Sequence, residues 1–75
     1  MTNDLKVLDH TGDTQIRWNP SNRDETQAAR EHFDSMKAKG YLAYALDADG
    51  ARGEVIRKFD PQARSIVMTP QMQGG

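Results

Sequence analysis

Asp9, His10 and Asp13 stand together in one short polar segment. An imidazole flanked by carboxylates is a set that could ligate a metal or share a proton in acid–base chemistry. No second histidine stands at ligand spacing from His10, however, and Asp, Thr and Gly are equally the residues of an ordinary turn. His32, beside Glu31 and close to Asp34, reads as part of a solvated helix face. Gly50-Ala51-Arg52-Gly53 has the glycines of a phosphate cradle but precedes no long helix. HExxH, P-loop and GxSxG patterns are absent from the sequence. There is no cysteine, which excludes disulfides, thiolate zinc sites and a cysteine nucleophile. A chain of 75 residues also leaves little room for a catalytic pocket. Neither an enzyme, a metal site nor a cofactor is expected.

The charge balance narrows the partners. Ten basic residues face 11 acidic ones, for a net charge of -1. That leaves no cationic surplus for neutralising phosphates, so nucleic acid is not an expected partner. No apolar run approaches the length of about 18 residues needed for a membrane span, and no charged-then-apolar leader opens the sequence. The expectation is a cytoplasmic, monomeric domain that meets other proteins. A domain of this size buries only about 60% of its unfolded surface, so its few apolar residues must be well placed.

Their placement is patterned. Leu5 and Val7 alternate with polar neighbours, as do Ile16 and Trp18, and Asp9-His10-Thr11-Gly12-Asp13 between them is rich in turn formers. A hairpin is predicted. Ser21 and Asn22 stand at capping-box spacing before Asp24 and Glu25, and Ala29, Phe33 and Met36 form one apolar stripe on an otherwise charged segment. These mark a helix over about 24–39, stopped by Gly40. Tyr41 to Leu46 reads as a strand with Leu42, Tyr44 and Leu46 on one face, and Leu42 is expected to be largely buried, as are Ile16, Phe33, Met36 and Ile66. Glu54 to Phe59 fits either a strand or a helical turn, and a short helical turn or irregular crossing is favoured. Ser65 to Thr69 reads as the last strand, with Ile66 and Met68 on one face and Val67 on the other. The expected fold is α+β, in the order ββαββ, with one helix packed across a mixed four-stranded sheet whose first and last strands are parallel neighbours. Residues 1–70 form the domain, and 71–75 a flexible tail.

With these elements in place the chain resembles the ubiquitin-like β-grasp family over nearly its whole length. Val7-Leu8-Asp9-His10-Thr11-Gly12-Asp13-Thr14 is similar to the first hairpin of ubiquitin, including its Thr-Gly-x-Thr turn. Asp49-Gly50 falls where ubiquitin has its own Asp-Gly, and the sequence closes on Gly74-Gly75, as in ubiquitin and the small sulfur carriers. Met72 and Gln73 stand where the tail of ubiquitin carries arginines, so the resemblance points to a prokaryotic or viral relative with partners of its own.

The resemblance implies a protein modifier or sulfur carrier. An adenylating (E1-like) enzyme would activate the carboxylate of Gly75, which then passes to a thiol or to sulfide. Gly74 and Gly75, lacking Cβ, suit a tail threaded through a narrow channel. Val67 is placed in the apolar docking patch of the family, and Met72, past Pro70, is the other expected partner contact. The alternative is a non-covalent interaction module of the same fold, with no activated carboxylate.

Overall fold

The structure, a computed structural model, describes residues 2–9, 12–46 and 52–70. Five strands and one helix follow one another: β1 (Asn3–Asp9), β2 (Gly12–Trp18), α1 (Arg23–Ala38), β3 (Tyr41–Leu46), β4 (Arg52–Ile56) and β5 (Ser65–Pro70). They build one mixed sheet in the order β2-β1-β5-β3-β4. β1 pairs antiparallel with β2 and parallel with β5, and β3 lies antiparallel to both β5 and β4. The fold is α+β, and the parallel pairing of first and last strands is present.

The sheet has five strands where four were expected, because residues 52–56 form a strand. The helical turn or irregular crossing favoured for 54–59 is corrected accordingly. Val55 and Ile56 are β-branched and suit a pleated surface, and the residue turned to the core is Ile56, with Phe59 reached only after a bend at Arg57 and Lys58. Gly53 allows the pairing. A Cβ there would collide with the carbonyl oxygen of Ala45, and the register shifts between Tyr44 and Leu46 at this point. The glycine is a bulge position where two backbones approach closely.

α1 begins as its sequence dictates. Asn22 is the N-cap: its Oδ1 accepts from the Glu25 backbone N–H at 3.1 Å. The Glu25 carboxylate reaches back, accepting from Asn22 Nδ2 at 3.2 Å and from the Asn19 backbone N–H at 2.8 Å. The first contact satisfies a backbone donor that a helix start leaves without an intrahelical partner, and the other two tie the preceding chain to the first turn. Asp24 and Glu25 suit the positive end of the helix dipole and Lys37 the negative end. Gly40, at φ 94°, takes the left-handed turn that ends the helix.

The helix lies on one face of the sheet and buries Ala29 and Phe33 there. Beneath it Leu5, Val7, Trp18, Ala43, Ile66 and Met68 complete the core. Ile16 and Met36, expected among the most buried residues with Phe33 and Ile66, are half-buried against it. Leu42 is a second correction. The residues of β3 that pair with buried Met68 and Ile66 are Ala43 and Ala45, so Leu42, Tyr44 and Leu46 occupy the opposite face. Alanines on the covered face let the helix and its Phe33 ring approach closely.

A loop closes one end of the core. The Pro61 carbonyl oxygen accepts from both Trp18 Nε1 and Asn3 Nδ2, each at 3.1 Å. Phe59 packs its ring between those of Trp18 (centroids 5.1 Å apart) and Phe33 (5.7 Å), spacings at which tilted aromatic pairs attract. The Arg30 guanidinium sits 5.9 Å from the Phe59 ring centre, within cation–π range.

Candidate interaction face

Alternation along the strands sends every second side chain away from the helix, and the register aligns these side chains across the sheet. One row runs Gln15, Lys6, Val67, Tyr44, Val55. A second runs Arg17, Asp4, Ser65, Leu46 and the Arg52 position. Leu42 lies opposite Thr69 on the same face. The open face is therefore graded. Its β3–β4 half, with Val67 of β5, carries Leu42, Tyr44, Leu46 and Val55. Its β1–β2 half carries Asp4, Lys6, Asp13, Gln15 and Arg17, with Leu8 as the one apolar side chain among them, opposite Asp13 near the hairpin end. Val55 is 51% exposed, the large apolar residue left most open to solvent among those described. Leu42, Tyr44, Leu46 and Val67 are half-buried, and none belongs to the core cluster or to the side chains packed on it.

Val67, singled out from the sequence, lies at the centre of this face, with Tyr44 and Lys6 as its cross-strand neighbours. Met72, Gly74 and Gly75 fall outside the described residues, as does His10. The sequence reading missed Val55 and Tyr44 as members of the face. The alternation of Tyr41 to Leu46 held the signal, but it does not say which of its two faces meets the helix.

Asp9, at the head of the polar segment, takes part in a tertiary contact. The Tyr41 hydroxyl donates to Asp9 Oδ2 at 3.1 Å, tying the start of β3 to the end of β1. Partial desolvation, the hydrogen bond to Asp9 and the negative charge of that carboxylate together hold the Tyr41 phenol above its ordinary pKa. His32 is half-buried on the helix. Among the described residues no three metal-ligating side chains cluster, and no helix is long and apolar enough to cross a membrane.

No family model matches the chain, and no curated protein or solved structure matches it.

Proposed function

We propose that the chain is a β-grasp protein that works by protein–protein recognition, using the apolar half of its open sheet face. The observation that carries this reading is the aligned row Val67, Tyr44, Val55, with Leu42 and Leu46 to either side on β3. Apolar side chains on a sheet face that no helix covers add little to the core, and a contiguous patch of this kind ringed by charge is the usual form of a docking surface. Lys6 and Asp4 on the neighbouring strand would fix orientation at the rim.

The test is capture of partners from the native host by the intact chain and by a Val55→Asp, Val67→Asp variant. The partners should be lost with the variant, while its circular dichroism stays that of the parent. Equal capture by both chains would remove the face from the interaction.

The second reading is that the Gly75 carboxylate is activated by an adenylating enzyme. It is supported by the parallel pairing of β1 with β5, a feature of the β-grasp arrangement, together with the Gly74-Gly75 ending. Deleting Gly75 should then abolish adenylate formation and any adduct, without touching the open face. Partner capture that survives this deletion, with no adduct formed by the full chain, would leave the non-covalent reading alone.

A further inference from the structure

The sheet ends in two edges of different character. β4 is short, at five residues, and its pairing is broken by the bulge at Gly53. Bulges and short strands are the devices by which sheets protect an edge. β2 has neither. It is seven residues long, contains no proline, and pairs with β1 in unbroken register from Asn3↔Trp18 to Asp9↔Gly12. Among the described residues its far side meets no other strand, and Gly12 to Gln15 and Arg17 are exposed. In an antiparallel strand alternate residues turn their N–H and C=O away from the existing neighbour, so β2 offers a row of backbone donors and acceptors to an incoming strand.

The side chains of β2 say which strand fits. Asp13 and Arg17 stand equally far to either side of Gln15, on the same face, and neither has a hydrogen bond or ion pair among the described residues. We propose that a second copy of this chain pairs antiparallel with β2 about a two-fold axis at Gln15, joining two sheets into one continuous sheet. In that register Asp13 of each copy lies directly opposite Arg17 of the other, so the symmetric contact makes the charge pair twice. Half-buried Ile16 lies opposite Thr14 on the core face. Trp18 lies opposite Gly12, which has no side chain to obstruct it. Sliding the strands by two residues in either direction removes both Asp–Arg pairs, so charge selects this register over its neighbours. The strand GDTQIRW is in this sense complementary to its own reverse.

Sedimentation equilibrium of the whole chain tests the proposal. The parent should dimerise. Asp13→Arg sets arginine against Arg17, and Arg17→Asp sets aspartate against Asp13, so each alone should raise the dimer dissociation constant by about tenfold. An equimolar mixture of the two variants should recover association, because the mixed pair restores both opposite-charge contacts. Circular dichroism melts check that each variant is folded. A second measurement does not depend on the charges. The chain has no cysteine, so Gln15→Cys introduces a unique thiol, and across the axis two such residues would be about 5.5 Å apart at Cα, within reach of a disulfide. Mild oxidation should link Gln15→Cys chains in pairs and leave Ser35→Cys chains, with the thiol on the exposed side of α1, largely unlinked. A parent chain that stays monomeric at millimolar concentration, a mixture no more associated than its components, or cross-linking equal at both cysteine positions would each overturn the proposal.

Discussion

The covered and open faces of the sheet are both furnished with apolar residues, and they spend them differently. On the covered face Leu5, Trp18, Ile66 and Met68 are wholly buried under Phe33 and Ala29. The polar atoms drawn in with them are satisfied, as when Asn3 and Trp18 both donate to the Pro61 carbonyl. On the open face Leu42, Tyr44, Leu46 and Val67 are only half-buried, and Val55 stands half in water. Burial converts apolar area into stability at roughly 25 cal/mol per Å², so the first set holds the fold together and the second contributes little to it. What the open face offers is area still available to be buried against something else.

Substitution can break this contrast in graded steps. Phe33→Ala should have the largest effect. It empties the centre of the covered face and removes one of the two rings packed on Phe59, at a cost of about 3–5 kcal/mol. A domain this small belongs near the low end of the usual range of about 5–15 kcal/mol, where that loss is most of the margin, and urea denaturation should find the variant's midpoint shifted close to zero denaturant. Gly53→Val comes next, since its Cβ must displace the Ala45 backbone. A loss of about 1–3 kcal/mol is expected, and hydrogen exchange should quicken in β4 before it does in β1 or β5.

The Tyr41–Asp9 link gives a smaller effect that depends on pH. The phenol is held above its ordinary value, so the folded chain keeps this proton to higher pH than the unfolded chain does. The stabilisation is complete below the unfolded pKa of about 10 and is lost as pH rises through the folded value. Stability measured by denaturant should therefore fall more steeply above that pH in the parent than in Tyr41→Phe. The smallest change in stability belongs to the open face. Val67→Ser should shift it by no more than about 1 kcal/mol, through lost β-propensity and partial burial, while weakening partner capture. A large loss of stability in that variant would mean that the open face serves the fold after all.

Much of this division was legible in the residues. The hairpin, the capped helix and the last strand each announce themselves through local rules: alternation at Ile16 and Trp18, the Asn22–Glu25 cap, and Ile66 and Met68 alternating with Val67. Two features were not local. Tyr41 to Leu46 alternates cleanly, but its two faces are both apolar, and size settled the matter: the small Ala43 fits under the helix where Leu42 would not. Residues 54–59 offered Val55 and Phe59 at helical spacing. Pairing with β3, which lies beyond any local window, made the segment a strand and put Ile56 in the core. Of the expected partner contacts, Val67 could be placed from the period of its strand. Val55 and Tyr44 depended on knowing which strands become neighbours.

The parallel pairing of β1 with β5 has a consequence for how the protein is born. The middle of the sheet is made by the first and the last of its strands to be synthesised, so a ribosome releasing the chain from its N-terminal side delivers a hairpin, a helix and a third strand with no centre to join them. Such long-range closure is slow compared with local folding. Until Ser65 to Pro70 emerges, Leu5 and Val7 on one side and Ala43 on the other lack the strand that lies between them. The nascent domain passes through a stage at which its stickiest edges are bare, and its final assembly is one late event rather than a gradual accretion.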